Sequence, residues 1–536
     1  MRVLDPPERG LATPWCYVLL LLCLIVLAAA PAAAQSTPAP QDTVAAVDTT
    51  GAETMAPGTA EAGPDDAGAQ AATDAHGADD GHGDDGHGDG HGASPPIWLV
   101  IPFVVLLLMI ATGPILYAHH WHHHYPKYAV VLGLITSLYY TFGLGTFTPV
   151  FHAMEEYVAF IALVASLFIA ASGIYLKINA KGTPLNNVLL LFAGSVIANL
   201  IATTGSAMLF IRSYMRLNTG RLKPYHIVFF IFLVANVGGA LTPIGDPPLF
   251  LGFLRGVPFF WTLTNVWYIW LPTTLAILLI FYLIDSRNKA TSPDPDPSQS
   301  TISLEGAKSF GWIAIIIASV FIDPKVISGV PNLHDILHVP FGIREVIMLT
   351  VAFLAYKTAD KAVLKKNEFT FEPIREVGWL FLGIFATMQP ALQLINEYAR
   401  DNADSLGIGI FYFGTGILSG ILDNAPTYLT FVAAAMGKFQ LDVNMLEDVR
   451  TFAAGVPDAT SVFGSDVFLQ AISVAAVFFG ALSYIGNAPN FMVKAIAEEQ
   501  GVETPSFFGY MVKYSIPILI PVYVVVYIIF YSGWIL

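Results

Sequence analysis

From about residue 97 onward, the chain alternates apolar runs of membrane-spanning length with short polar or charged joints. The pattern predicts spans over about 97–118, 128–149 and 157–176. The next segment, Pro184 to Ile211, is apolar at both ends and polar in its middle. Lys177 and Lys181 precede it, Arg212, Arg216, Arg221 and Lys223 follow it, and no acidic residue lies among them. Cytoplasmic loops are enriched in Lys and Arg, and a simple span would put one flank outside. A hairpin that enters and leaves on the cytoplasmic face accounts for both flanks. A counterpart lies near 407–437, with Glu397, Asp401 and Asp404 before it and Asp442, Glu447 and Asp448 after it. Arg400, Lys438 and Arg450 dilute that bias without reversing it, and Lys357, Lys361, Lys365 and Lys366 mark the preceding loop as cytoplasmic. The second hairpin is therefore expected to enter from the opposite face.

Two decapeptides echo each other. Residues 239–248 read Gly-Ala-Leu-Thr-Pro-Ile-Gly-Asp-Pro-Pro and residues 480–489 read Gly-Ala-Leu-Ser-Tyr-Ile-Gly-Asn-Ala-Pro. Each interrupts a long apolar stretch, 225–253 and 467–497. Gly and Pro at that density do not stay in a regular helix. A helix broken at bilayer depth is tolerated only where its backbone lines a cavity inside the protein. Paired breaks in corresponding positions of two halves point to a transporter's binding site. The expected fold is an all-α polytopic membrane protein of two inverted repeats, each with a re-entrant helical hairpin and a broken helix. Repeat one covers 96–285 and repeat two 309–536, joined by a cytoplasmic linker over 286–308.

Composition agrees, with 55% hydrophobic and only 12% charged residues among 536. The formal charge of −15 comes mainly from twelve acidic residues between 41 and 91, a stretch without Lys or Arg. Acidity is thus a property of a tail, and nothing suggests nucleic acid. Residues 35–95 are poor in large apolar side chains and are expected to be a disordered periplasmic segment. Within it His76, His82, His87 and His91 recur in Gly-His-Gly-Asp surroundings, a loose transition-metal trap on one reading and a soluble spacer on the other. Residues 1–34 read as a secretory signal ending in an Ala-x-Ala site; an uncleaved anchor is the alternative. Cys16 and Cys23 both lie there, so a cleaved protein has no thiol chemistry.

Four polar elements are expected to converge: the tips Thr203-Thr204-Gly205-Ser206 and Asp423-Asn424-Ala425-Pro426-Thr427, and the breaks Asn236–Asp246 and Ser483–Asn490. Carbonyls, hydroxyls and amides suit Na⁺, whereas half-helix N-termini suit an anion, so geometry leaves the sign open. Asp246 and Asp423 tip the balance. A charged Asp at mid-membrane costs about 2.5–3.5 kcal/mol and marks an ion or proton pathway. One carboxylate can exchange H⁺ for Na⁺, because a cation favours its charged form and burial its neutral one. The site is expected to comprise Asp246, Asp423, Asn424, Thr203, Thr204, Ser206, Asn236, Thr242, Ser483, Asn487 and Asn490. Against this, Asp246 and Asn487 precede helices they could merely cap, and the tip hydroxyls could satisfy local backbone. His152, Glu155 and Glu156 offer proton entry or a solvated helix end. The run His119, His120, His122, His123 and His124 reads as headgroup contact or helix C-terminus stabilisation, with metal binding as the rival. No nucleotide-binding or zinc-protease motif occurs, so no enzyme activity and no cofactor are expected.

Thr203-Thr204-Gly205-Ser206-Ala207-Met208, Asn236 through Pro248, and Asp423-Asn424-Ala425-Pro426-Thr427 together resemble the ion transporter superfamily. That group includes NhaD-type sodium:proton antiporters, arsenite permeases and citrate or dicarboxylate carriers. The resemblance covers about 97–536 and is strongest to bacterial sodium:proton antiporters. It implies a scaffold and a transport domain, usually in a homodimer, with elevator-like displacement. Dicarboxylate carriers of the group carry Ser-Asn-Thr at their hairpin tips, a pattern absent here. The expectation is a secondary Na⁺/H⁺ antiporter of the bacterial inner membrane with both mature termini outside. The alternative is a Na⁺- or H⁺-coupled carrier of a small anion such as citrate, a dicarboxylate or arsenite. A third reading makes the His-rich tail the functional part of a metal-handling protein.

Overall fold

The computed structural model describes residues 94–534 except 296, 297, 299, 300, 325, 328, 332, 334, 335, 337, 338 and 459. The expected signal segment and the histidines at 76, 82, 87 and 91 lie outside the described residues. Among the described residues, eight helical segments are long and apolar enough to cross a bilayer. Helix makes up 74% of the structure, so this is an all-α polytopic membrane protein.

Among the described residues, three α-helices precede the first hairpin. Helix α1 (Ile101–Leu116) turns at Tyr117 into α2 (Ala118–Leu138), and α3 (Thr148–Ser172) follows with Pro149 in its first turn. The second and third helices thus start earlier than their hydropathy predicts. The histidine run lies in the opening turns of α2, so it does not stabilise a helix C-terminus: it sits at the positive end of the dipole. His152, Glu155 and Glu156 correspondingly lie within the first turns of α3. After α3, strand β1 (Tyr175–Ile178) pairs antiparallel with β2 (Ile302–Glu305). Part of the 286–308 linker is therefore a ribbon, which hydropathy does not reveal.

The segment α4 (Pro184–Leu217) folds back on itself. Ile201 and Ala202 leave helical geometry, Ala202 with φ +64°. The Ser206 hydroxyl donates to the Gly194 carbonyl at 2.7 Å, and Asn187 and Asn218 exchange amide hydrogen bonds at 2.8 and 2.7 Å. These pairings zip the two arms together on either side of a tip at 201–202. Behind it come α5 (Pro224–Leu233), a one-turn 3₁₀ segment at Val237–Leu241, and α6 (Pro247–Arg255). Pro224 and Pro247 each sit where a missing N–H costs nothing. Helix α7 (Trp261–Asp285) closes this half.

The second half begins with α8 (Lys308–Val320), α9 (Ile343–Thr358), α10 (Lys361–Lys366) and α11 (Glu372–Asp401). Helices α12 (Ile408–Ile421) and α13 (Asn424–Lys438) form the other hairpin. Its arms of 14 and 15 residues reach only about 21–23 Å, short of a hydrocarbon core of about 30 Å. Then follow α14 (Leu446–Ala454), α15 (Ser465–Phe479), a 3₁₀ turn at Gly480–Leu482, α16 (Ala488–Glu499) and α17 (Phe507–Phe530).

Helix α3 packs against the first hairpin and α11 against the second, while α2 crosses α11. That crossing is close because Gly383 is bare: a Cβ there would lie 2.8 Å from the Ala129 Cβ. Ile227 to Leu233 of α5 are fully buried, so the broken helix is enclosed by protein, as interrupted backbone requires. Each hairpin base carries a buried ion pair. Asp285, fully buried, takes Arg221 at 2.8 Å, the Tyr225 hydroxyl at 2.6 Å and the Asn187 amide at 3.0 Å. Lys438 pairs with Asp458 at 2.9 Å.

Candidate functional site

The two echoing decapeptides make the same local loop. A Cβ on Gly245 would collide with the Gly239 carbonyl, and one on Gly486 would lie 2.6 Å from the Gly480 carbonyl. Only bare backbone lets each loop close so tightly. Both loops then deliver their eighth residues to one point. Asp246 precedes α6 and Asn487 precedes α16, yet neither side chain caps its helix. They meet each other instead, Asn487 Nδ2 donating to Asp246 Oδ1 at 2.8 Å. The same amide also donates to the Ala235 carbonyl at 3.1 Å, which fixes its orientation.

Two further donors complete the surroundings of Asp246. Thr203, just past the first tip, donates its hydroxyl to Oδ1 at 2.9 Å, and Asn424, just past the second tip, donates Nδ2 to Oδ2 at 2.7 Å. The carboxylate is 1% exposed and takes three hydrogen bonds from neutral groups on three other elements. Among the described residues it forms no salt bridge. Asn424 is equally buried, and its Oδ1 has no hydrogen-bond partner among the described residues. Beside Asp246 lies a cavity of about 30 Å³, walled by Leu163, Leu167 and Phe168 of α3 and by Thr204 and Pro247. That is space for one or two water-sized occupants.

The remaining expected residues serve the scaffold of this site or lie beside it. Asn236 donates to the Ile231 carbonyl at 2.7 Å and to Asn490 Oδ1 at 2.6 Å. Asn490 in turn holds the Gly480 and Ser483 carbonyls, each at 2.9 Å. Thr242 donates to the Asn199 carbonyl at 2.6 Å. The Ser483 hydroxyl accepts from the Ile485 and Gly486 amides, and that of Ser206 is engaged within its hairpin. Asp423 stands at the second tip, half-buried, where its carboxylate accepts the Ala425 amide at 3.0 Å as the N-cap of α13. The arrangement therefore brings Thr203, Asn424 and Asn487 onto Asp246 and leaves Asp423 engaged with its own helix.

Asn199 was not anticipated. Its Nδ2 donates to the Gly238 carbonyl at 2.6 Å and its Oδ1 accepts the Leu241 amide at 2.8 Å, binding the first hairpin to the first break. The signal was present: an amide in an apolar hairpin arm, two residues before the tip, with unwound backbone elsewhere to satisfy. On the α6 side, a larger cavity of about 1170 Å³ is lined by His152, Glu155, Glu156, Arg255, Asp323 and Arg344, among others. Among the described residues, no group of three or more His, Cys, Asp or Glu could hold a metal ion.

Interrupted helices around a buried polar cluster are the architecture in which membrane transport proteins place their binding sites. Residues 92–531 match the profile of a family described as "Putative citrate transport", and the chain belongs to that family, within the ion transporter superfamily. It is similar to two Arabidopsis thaliana proteins. It is 25% identical over 294 residues to sodium/proton antiporter 1, covering 53% of this chain and 45% of that protein. To sodium/proton antiporter 2 it is 24% identical over 267 residues, covering 46% and 60%. The chain spans about half the length of the curated relatives it matches.

Proposed function

We propose that the protein is a secondary Na⁺/H⁺ antiporter in which Asp246 alternately binds Na⁺ and a proton. The observation that carries this reading is the buried Asp246 carboxylate, held by neutral donors alone beside a cavity of about 30 Å³. A carboxylate without a resident countercharge is stable at depth only when a cation or a proton neutralises it. The free oxygen of Asn424, the hydroxyls of Thr203 and Thr204 and nearby backbone carbonyls offer the hard oxygen ligands Na⁺ takes. Thr242, Asn236, Ser483 and Asn490 hold the two breaks in register around it. Asp423 caps the second hairpin and adds negative potential at its tip. The similarity to sodium/proton antiporters points the same way.

The two halves then act as inverted repeats, with re-entrant hairpins and breaks forming a transport body that moves against the α2, α3 and α11 frame in an elevator-like displacement. A homodimer in the bacterial inner membrane, with both mature termini outside, fits this reading. In sealed proteoliposomes, a NaCl pulse should drive proton efflux reported by an internal pH dye. Failure of Na⁺ or Li⁺ to move protons would overturn the proposal.

A second reading, a Na⁺- or H⁺-coupled citrate carrier, is favoured by the family description and by the N-termini of α6 and α16 at the site. An unneutralised Asp246 opposes a polycarboxylate there. Uptake of labelled citrate that requires Na⁺, without Na⁺-driven proton flux, would establish it.

A further inference from the structure

The Asp246 cavity lies against the second half of α3, at Leu163, Val164, Leu167 and Phe168. An Arg–Glu pair lies on either side of it. Toward the start of α3, Arg255 at the end of α6 pairs with Glu156: its Nη2 donates at 3.0 Å, its Nε lies 2.6 Å from the other carboxylate oxygen without a hydrogen bond, and Nη1 reaches Asn444 at 2.8 Å. Toward the other end, Arg212 on the return arm of the first hairpin meets Glu368 at 2.8 Å. Glu368 belongs to the frame, because the side chain of the preceding Asn367 holds the carbonyls of Ser172 and Ile174 at 2.8 and 2.7 Å. Glu156 and Ser172 are sixteen residues apart on one helix, about 24 Å.

Both pairs have the same polarity: arginine on the hairpin-and-break body, glutamate on the frame. Glu368 is 57% exposed, yet two details set its pair with Arg212 apart from an ordinary surface contact. Glu368 adopts φ +49°, a left-handed conformation that a non-glycine residue takes only at a cost. Arg212 is 7% exposed, and its Nε and Nη1 are buried without an acceptor among the described residues. A guanidinium left half-satisfied in this way is poorly matched to one position, as expected of a group that changes partners.

We propose that Arg255–Glu156 and Arg212–Glu368, both closed here, are two latches: each closes one route to Asp246, and tilting of the body against α3 opens one while the other holds. The inference rests on the body-against-frame movement proposed above, but not on which ion is carried. Its test reads accessibility instead of transport. In full-length protein with Cys16 and Cys23 replaced by Ser, Val164→Cys places one thiol on the cavity wall. Labelling by a membrane-impermeant maleimide is timed in right-side-out and inverted vesicles. Glu156→Gln should speed labelling at least about fivefold from one side only, and Glu368→Gln by a similar factor from the opposite side only. Arg255→Gln and Arg212→Gln, which break the same pairs from the other partner, should reproduce each pattern. The exchanged pair Glu156→Arg with Arg255→Glu should restore the parent rate. Unchanged labelling in all four variants, or faster labelling from the same side at both ends, would overturn the latches. Loss of Na⁺/H⁺ exchange as a reading, with one-sided labelling retained, would leave them standing.

Discussion

Replacing Asp246 by Asn isolates charge from shape. The carboxylate accepts Thr203 and Asn487 at one oxygen and Asn424 at the other, over 2.7–2.9 Å. An asparagine would keep its oxygen toward Thr203 and Asn487, because the Asn487 amide is also tied to the Ala235 carbonyl. Its new NH₂ would then face the Asn424 NH₂. Rotation of the Asn424 amide relieves that conflict, since its own oxygen is unpartnered and can accept instead. Three charge-assisted bonds become neutral, a loss of about 1 kcal/mol each. Against this, a charge costing about 2.5–3.5 kcal/mol no longer has to be buried. Stability should therefore change by no more than about 2 kcal/mol, a shift of a few degrees in a detergent melt. Exchange should vanish. A charged ligand worth about 3 kcal/mol to Na⁺ is gone, about a hundredfold in affinity, and nothing remains to carry the proton. The assay pairs the melt with Na⁺-driven dequenching of a pH dye in proteoliposomes. A folded Asp246→Asn protein that exchanges at the parent rate would refute the reasoning.

Three other substitutions separate roles that look alike in the sequence. Asp423→Asn, which keeps an N-cap acceptor, should melt within about 0.5 kcal/mol of the parent and retain Na⁺-driven proton flux, whereas Asp423→Ala should lose about 1 kcal/mol; abolished flux in the Asn variant would make Asp423 a carrier. Ala202→Gly removes the penalty of φ +64° at the first tip, so its melting temperature should rise by the equivalent of about 1 kcal/mol; a fall would mean the tip is not strained. Asp285→Asn leaves Arg221 buried without its partner, and should cost about 3–5 kcal/mol. It should be read by melting temperature and by yield in the membrane. An unchanged melt would show that the base of the first hairpin is wet.

Much of this molecule was legible from local pattern. Apolar runs announced the membrane, the Lys/Arg flanks of 184–211 announced a segment that turns back, and the Gly/Pro decapeptides announced interrupted helices. Each follows from short-range physics: what a bilayer tolerates, and what Gly and Pro do to a helix. The boundaries of α2 and α3 were misread because hydropathy cannot weigh a histidine run that helical hydrogen bonding absorbs without difficulty. The β1–β2 ribbon went unseen because its partners are more than a hundred residues apart.

The sequence by itself determined the class of protein, the two tips, the two breaks and the short set of polar residues available to a site. Tertiary structure decided how those residues divide the work. Asp246 and Asp423 each precede a helix, and either carboxylate has the chemistry to cap or to bind. Only the packing of the breaks aims Asp246 away from its own helix and at Asn487, Thr203 and Asn424, while Asp423 turns back onto the Ala425 amide. A side chain's direction depends on which distant donors reach it, and those contacts span up to 241 residues of sequence.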